Sequence, residues 1–246
     1  MPQLTICNRR MLLATAILAT LAIPMSAQTQ NIRVAHRFRV KPDRIGDFRA
    51  ILRDAQAVLQ KEKFDRTSLW YESLTGPQEF VWVRSFKDLA DAGATHPISN
   101  HPAIVALSTR LATCVESREI MIDEILPEVS ITSTEMPSML QALRTSALPG
   151  KGEDYVALIK SDLFPALRKA GTSTYVFARR RMGGPSETYV SVRGLKGWSD
   201  LDGIPNARKA MGDENYRKFL AKRATLVRES ESTVYRYLAD LSYAPK

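Results

Sequence analysis

The sequence contains very few of the residues that most often carry out chemistry or crosslink a chain. Its 246 residues include two cysteines, Cys7 and Cys114, and three histidines, His36, His96 and His101. Two cysteines are too few for a disulfide framework, and the chain has no paired-cysteine motif and no glycine-rich phosphate loop. With 44% hydrophobic and 25% charged residues, the composition is that of an ordinary globular protein. A disulfide-stabilised miniprotein and a wholly disordered chain are therefore both excluded.

Long apolar runs are also lacking, with one exception near the start of the chain. Arg9 and Arg10 precede an apolar run at residues 11–23, which is too short to cross a bilayer but suits a signal peptide. We expect residues 1–27 to be a signal peptide cleaved after Ala27, and an uncleaved N-terminal anchor is the alternative. The predicted location is the bacterial periplasm or the cell exterior, with no stable membrane insertion once the signal is removed.

The charge of the chain is basic but scattered. The net charge is +9, and removing the two arginines of the predicted signal, which contains no acid, lowers it to +7. No run of five or six like charges occurs, so the basic excess predicts solubility and weak attraction to anionic surfaces. An exported chain of this kind is not expected to bind nucleic acid.

The sequence also contains an internal duplication. Three landmarks recur in the same order, and the interval between the two copies grows only slightly along the chain. They predict two tandem repeats at residues 31–127 and 138–243, joined by a linker at 128–137 that is rich in Ser, Thr, Glu and Pro. The landmarks are Pro42 and Pro149, Gly76-Pro77 and Gly184-Pro185, and Ala112-Thr113 and Ala224-Thr225.

Each repeat has the pattern strand, helix, strand, strand, helix, strand. This order is typical of the ferredoxin-like fold, an α+β unit whose antiparallel sheet has helices on one face. Pro165 falls inside the first predicted helix of the second repeat and should kink it. Because each sheet would have one bare face, we expect the two sheets to pack together as an intrachain α+β barrel with the helices outside. Such a pseudo-dimeric chain is expected to be a monomer.

A short stretch at the start of the second repeat carries a family resemblance. Residues 142–150, ALRTSALPG, form a predicted strand that runs into a Pro-Gly helix start. This stretch resembles the dimeric α+β barrel superfamily, which includes antibiotic-biosynthesis-type monooxygenases and NIPSNAP-like proteins. The tandem, exported form is similar to bacterial proteins with no assigned role. The resemblance implies a barrel with a cavity and no particular reaction, because one fold hosts many functions.

Strand alternation predicts which side chains face the barrel interior. We expect the β-branched pairs of the third strands, Val81 with Val83 and Val190 with Val192, to pack under the helices. The alternate residues of those strands would then point inward, together with the first-strand residue Arg37 and its equivalent in the second repeat. The predicted ligand-binding set is Arg37, Trp82, Arg84, Arg144, Tyr189 and Arg193.

Buried arginines restrict what such an interior can do. An unpaired buried charge is costly, so these side chains must be hydrated, paired with acids such as Glu72, Asp123 or Glu124, or ready for an anionic ligand. Guanidinium groups favour a carboxylate or phosphate, and Trp82 and Tyr189 favour a flat apolar body. Structural pairing without any ligand is the alternative.

The histidines and Cys114 offer little catalytic chemistry. His96 and His101 each precede a proline in a loop that opens a helix, and they are the two candidate ligands for a metal or haem. No spaced His, Cys or carboxylate cluster accompanies them, so helix capping is the interpretation we favour. His36 is expected in the core, although a one-residue change of register would turn it into the cavity. Cys114 lies on an apolar helical stripe and is expected to be a buried small hydrophobe.

Three functions remain open at this stage. The favoured hypothesis is an exported protein that binds a small anionic or aromatic molecule in an Arg- and aromatic-lined barrel. The second is a monooxygenase-like enzyme, either cofactor-independent or haem-dependent. The third is a structural or interaction module without a ligand. The sequence designates no catalytic residue, and our expectation is that no cofactor is bound, with haem as the alternative.

Overall fold

The computed structural model describes residues 31–133, 135–202 and 205–245. The predicted signal peptide, residues 1–27, lies outside this part of the chain. Within it, no helix is long and apolar enough to cross a membrane.

Eight strands and seven helices make up the two repeats of the described chain. In the first repeat they are β1 Ile32–Val40, α1 Ile45–Lys61, β2 Leu69–Ser73, β3 Glu79–Phe86, α2 Leu89–Gly93, α3 Pro102–Cys114 and β4 Val115–Ile125. In the second they are β5 Met139–Ala147, α4 Gly152–Leu158, α5 Phe164–Lys169, β6 Tyr175–Met182, β7 Thr188–Leu195, α6 Asn206–Met211, α7 Asp213–Ala224 and β8 Val227–Tyr237.

The strands form one closed antiparallel barrel in the order β1-β3-β2-β8-β5-β7-β6-β4. Each repeat contributes four strands, and the repeats join at two seams, β2 with β8 and β4 with β6. Closure removes the exposed sheet edges that two separate sheets would have had. The predicted fold class, two tandem ferredoxin-like repeats that form an α+β barrel, is confirmed.

Residue pairing across the barrel reproduces the duplication. Arg37 is paired with Glu119 between β1 and β4, and Arg144 with Glu231 between β5 and β8. Both arginines form an ion pair with the glutamate opposite. The two arginines are separated by the same interval as the proline landmarks of the sequence, and the two glutamates by the same interval as the Ala-Thr landmarks.

One difference from the expected elements, and one interruption that was expected, have clear physical causes. The last strand of each repeat begins earlier than the periodicity predicts, because its first half is exposed and therefore polar. Pro165 interrupts its helix as expected, and a π-helical turn at Ile159–Leu163 separates α4 from α5. Proline has no N–H to donate and its ring clashes with the carbonyl four residues earlier, so the regular helix cannot continue through it.

The chain also exchanges short segments between the repeats. After β4, Val129 is fully buried among core residues of the second repeat, and Ser130 Oγ accepts a hydrogen bond from Phe177 N at 3.0 Å. After β8, Leu241 is buried in the core of the first repeat, and Ser242 Oγ accepts from Trp70 N at 2.8 Å. Each repeat thus completes the core of the other, while the proposed boundaries at 31–127, 128–137 and 138–243 stay a prediction.

Candidate functional site

The direction of the side chains on β3 and β7 is opposite to the expectation. Val81, Val83, Val190 and Val192 line the barrel interior. Their neighbours Trp82 and Tyr189 instead pack between the sheet and the helices. The prediction that Trp82, Arg84, Tyr189 and Arg193 point into the barrel is therefore wrong.

The physical reason lies in the space available on each face. Helices cover the outer face, and aromatic side chains such as Phe48 of α1 and Phe80 of β3 fill the layer between them, with ring centres 4.9 Å apart. The inner face carries the compact valines, which surround a cavity instead of filling the interior. Because side chains alternate along a strand, placing the valines on the inner face of β3 and β7 also moves every other residue of these two strands to the face opposite to the predicted one.

Two predicted site residues do face the interior. Arg37 and Arg144 line the barrel cavity, and each is ion-paired with the glutamate opposite. Glu79 adds a second carboxylate 3.7 Å from Arg37. Both arginines thus have internal partners, as the structural alternative required, and their role in ligand binding stays a prediction.

A second cavity, which we call the helix–sheet pocket, lies in the first repeat between the sheet and α1 and α3. Its volume is about 260 Å³. One wall is aromatic: Trp70 of β2 and Trp82 of β3 lie directly opposite each other in the sheet, with nearly parallel rings whose centres are 5.9 Å apart at an angle of 11°. Trp82 Nε1 donates to Ser68 Oγ at 2.7 Å, which fixes the orientation of the indole. Aliphatic side chains of the helices close the pocket, among them Ile51, Leu52, Leu59, Ile104, Leu107 and Leu111.

Arg84 lines this apolar pocket without an acidic partner. Its Nε and Nη2 atoms are buried and have no hydrogen-bond partner among the described residues. The guanidinium carbon lies 4.9 Å from the ring centre of Phe64 and 5.4 Å from that of Trp82, so aromatic faces support the charge. Burial, with a smaller contribution from Arg66, lowers the pKa of Arg84 to about 10. The side chain remains a cation at neutral pH, with donor capacity to offer a ligand.

A second cation, Arg118, lines the same pocket. Its Nε donates to His36 Nδ1 at 3.1 Å, and burial lowers its pKa. Burial and the charges of Arg118 and Arg84 lower the pKa of His36 to about 4. His36 is therefore neutral at pH 7, and accepting at Nδ1 places its proton on Nε2. Neither arginine forms an ion pair with a carboxylate among the described residues, so the pocket carries one half-buried cation, Arg84, and a second cation, Arg118, at its solvent-exposed edge.

The corresponding layer of the second repeat is built differently. Tyr189 is 2% exposed and stacks on Phe177, with ring centres 5.6 Å apart. Arg193, the equivalent of Arg84, donates from Nε to Gln141 Oε1 at 2.7 Å. Where the first repeat has Trp82, the second has Ser191. The second repeat thus lacks the paired indoles and gives its arginine a partner.

The histidines do not fit an axial haem ligand. His96 Nδ1 accepts from Ile98 N at 3.1 Å and its Nε2 lies 3.1 Å from Asp65. His101 Nδ1 accepts from Ala103 N at 3.3 Å and caps α3. The capping interpretation is confirmed: each Nδ1 accepts a backbone N–H, which places the ring proton of the neutral imidazole on Nε2, the nitrogen that a metal or haem iron would otherwise take. His36 does not belong to the lining of the helix–sheet pocket.

Metal and thiol chemistry also find no site in the described chain. None of its His, Cys, Asp and Glu residues form a group of three or more that could hold a metal ion. Cys114, the last residue of α3, is fully buried in the apolar core of the first repeat. It is the small hydrophobe that the stripe predicted.

Several residues of the helix–sheet pocket were missed by sequence reasoning, above all Arg118 and the neighbouring His36. A usable signal was present in the duplication itself. The second repeat has Leu143 at the position of His36, Ser230 at that of Arg118 and Phe177 at that of Trp70. The pocket residues Trp70 and Arg118, and the neighbouring His36, are thus positions at which the two repeats differ in chemistry.

The fold has known counterparts. Among solved structures, a candidate monooxygenase from Lactobacillus acidophilus is similar with a TM-score of 0.60 and 6% identity, over 87% of this chain and 95% of that one. A candidate monooxygenase from Fusobacterium nucleatum gives 0.62 and 12%, over 84% and 92%. An anthrone oxidase-like protein gives 0.58 and 12%, over 85% and 92%. No protein-family model and no curated protein matches the sequence. At these identities the likeness establishes the fold alone.

Proposed function

We propose that the protein binds a small aromatic molecule with one anionic oxygen group, in the helix–sheet pocket of the first repeat. The sequence predicted a small anionic or aromatic ligand in the barrel; the proposal combines the two properties in one ligand and moves it to the helix–sheet pocket. The observation that carries the proposal is Arg84, a half-buried arginine whose Nε and Nη2 atoms are buried and have no partner in the described chain. A carboxylate or phenolate would supply the acceptors that these atoms lack.

The shape of the pocket supports a flat ligand of one to three rings. Its volume of about 260 Å³ lies just below the usual range for drug-sized ligands, roughly 300–1,000 Å³. Trp70 and Trp82 offer indole faces for stacking, and aliphatic residues of α1 and α3 close the opposite side. Because His36 is neutral, it does not compensate the positive charge of Arg118. Arg118 is therefore a second cation that favours the anionic form of the ligand.

The test is a titration with 2-naphthoate, followed by tryptophan fluorescence and calorimetry. Trp70 and Trp82 lie in the pocket wall, so we expect binding to change their emission. We expect Arg84→Met to weaken binding about 10- to 100-fold, the loss that corresponds to one charge-assisted hydrogen bond. The uncharged match 2-naphthylmethanol should bind weakly and equally to both proteins.

The duplication provides a matched control. Arg193→Met removes the equivalent arginine of the second repeat, which already has Gln141 as a partner. We expect this variant to bind 2-naphthoate as the parent does. Equal affinity of parent and Arg84→Met for 2-naphthoate, or no binding by either, would remove the proposal.

A second candidate function is cofactor-independent oxygenation of the same ligand class. It is favoured by the two arginines without carboxylate partners, because cations that stabilise a phenolate or enolate make the organic anion easier to form and to react with O₂. The similar structures that are candidate monooxygenases or anthrone oxidase-like support the same idea. In this reaction Arg84 would hold the anionic oxygen, and the tryptophans would orient the rings and exclude water.

Oxygen uptake with anthrone tests this second function. Oxidation by one O₂ gives anthraquinone and one water, so atoms balance without another reductant. We expect O₂ consumption that falls at least tenfold in Arg84→Met and is unchanged in Arg193→Met. Binding of 2-naphthoate without any O₂ uptake would leave the protein as a binding protein.

We also propose that the protein is exported and works as a monomer. The support is the apolar run at residues 11–23 and a barrel that closes within one chain. Mass spectrometry of protein from a bacterial periplasmic fraction should give an N-terminus after Ala27. Light scattering should give the mass of a single chain. An intact N-terminus or a dimer would contradict these proposals.

A further inference from the structure

The barrel interior contains a larger cavity that the proposed function does not use. Its volume is about 790 Å³, and strands of both repeats line it. Val81 and Val83 of β3 face it from one side, and Val190 and Val192 of β7 from the other. These valines lie between the two seams at which the repeats meet.

One seam of the barrel holds an unbalanced buried charge. Asp123 of β4 accepts from Arg180 Nε at 2.6 Å and from Arg33 Nη2 at 3.4 Å. Asp123 and Arg180 are buried and the Arg33 side chain is 13% exposed, so two largely buried guanidinium groups share one carboxylate. Arg33 Nε is also buried, and among the described residues it has no hydrogen-bond partner. A surplus positive charge in such surroundings is stabilised by an additional anion.

At the pseudo-equivalent seam the charged pair Glu72 and Arg236 does not line the cavity, and the positions that correspond to Arg33 and Asp123 are uncharged. Leu140 stands at the position of Arg33, and Tyr235 at that of Asp123, by the same intervals that relate the proline and the Ala-Thr landmarks. Tyr71 lines the cavity at this seam and burial raises its pKa, so it is a neutral phenol. The cavity is therefore cationic on one side and apolar or aromatic on the other.

The remaining charged lining groups do not cancel this polarity. Arg37 and Arg144 are each paired with a glutamate on a neighbouring strand. Glu135 also lines the cavity but is exposed to solvent. The surplus at Arg33, Asp123 and Arg180 is one positive charge, which matches a monoanion better than a phosphate dianion.

We propose that the barrel interior is a second binding site, for an amphipathic monocarboxylate. The carboxylate accepts from Arg33 Nε and lies beside Arg180, and the apolar chain runs between the valines toward Tyr71 and Leu140. This site is separate from the helix–sheet pocket in lining residues and in ligand class, since it takes a longer, chain-like acid.

The experiment is a calorimetric titration with decanoate, with decanol as the uncharged match. It is made on Arg84→Met protein, so that the arginine of the helix–sheet pocket cannot contribute. We expect one decanoate per chain, and at least tenfold weaker binding when Arg33→Gln is added. Asp123 keeps Arg180 at 2.6 Å in that variant, so the fold should be retained. Decanol should bind weakly and equally to both proteins.

Two filling variants locate the ligand independently of charge. Val83→Phe adds volume inside the barrel, and we expect it to abolish decanoate binding. Leu107→Trp fills the helix–sheet pocket, and decanoate binding should be unchanged. Absence of decanoate binding, equal affinity with and without Arg33→Gln, or loss caused by Leu107→Trp alone would each overturn the proposal. None of these results changes the 2-naphthoate test, which depends on Arg84.

Discussion

At the scale of single residues, the arginines separate into two groups. The buried Arg180, on Asp123, and the half-buried Arg33 and Arg37 have carboxylate partners and contribute to structure. Arg84 and Arg118 have no carboxylate partner in the described chain and share one apolar pocket. The sequence predicted buried arginines and weighed pairing against ligand binding. Pairing explains Arg37 and Arg144, whereas Arg84 remains the candidate for binding.

This distinction predicts opposite effects on stability. Arg84→Met removes a charge that burial disfavours and keeps a side chain of similar length, so the free energy of unfolding should be unchanged or higher. Arg180→Met leaves Asp123 with only the longer contact to Arg33 and should cost about 2 kcal/mol, somewhat less than the roughly 3–5 kcal/mol for the loss of a sole partner. Urea unfolding monitored by circular dichroism measures both. A loss above about 1 kcal/mol in Arg84→Met would contradict the unpaired state of this arginine.

His36 predicts a pH dependence of stability. Its folded pKa of about 4 lies below the ordinary value of 6.5, so the unfolded chain binds the proton more tightly. The contribution is fully present above pH 6.5 and is lost as the pH falls toward 4, by an amount on the order of 3 kcal/mol. His36→Leu, which copies Leu143 of the second repeat, should have a shallower decline between pH 7 and 5 in thermal unfolding. Parallel curves for the two proteins would refute this assignment.

At the scale of elements, the periodicity of the sequence predicted the order of strands and helices. It did not predict which side chains of β3 and β7 face the barrel interior. The valines at positions 81 and 83 alternate cleanly with larger residues, so the pattern defined two faces. It could not say which face the helices cover, because both faces of a closed barrel are buried. The exchanged segments after β4 and β8 were also out of reach, since their contacts are to the other repeat.

These segments make a prediction of their own. Leu241→Ala should lower the free energy of unfolding by about 3 kcal/mol, because it opens a cavity in the core of the first repeat. Val129→Ala should lower it by about 2 kcal/mol through the second core. In both variants we expect one cooperative transition by calorimetry, since each repeat depends on the other. The exposed Met136 provides a control, and Met136→Ala should have no effect.

Two separate transitions, or a change in Leu241→Ala no larger than in Met136→Ala, would show that the exchanged segment does not couple the repeats. The repeats would then behave as independent domains.

At the scale of the whole molecule, the internal duplication predicts the architecture, and the sequence differences between the two repeats locate the candidate site. The nearly constant interval between the paired landmarks was enough to predict a barrel closed within one chain. The site required the differences between the repeats, such as Trp82 against Ser191 and Arg118 against Ser230. Those differences can be used to locate a site only when the strand pairing shows that the two compared positions are equivalent.

The central claim is that one repeat keeps a ligand pocket and the other has become structural. The most direct test is a crystal structure of the protein with 2-naphthoate. We predict one ligand in the helix–sheet pocket, with its carboxylate within hydrogen-bond distance of Arg84 Nε or Nη2 and its rings against Trp82. A ligand found beside Arg193 in the second repeat, or an Arg84 ion-paired with a carboxylate of the protein, would contradict the account.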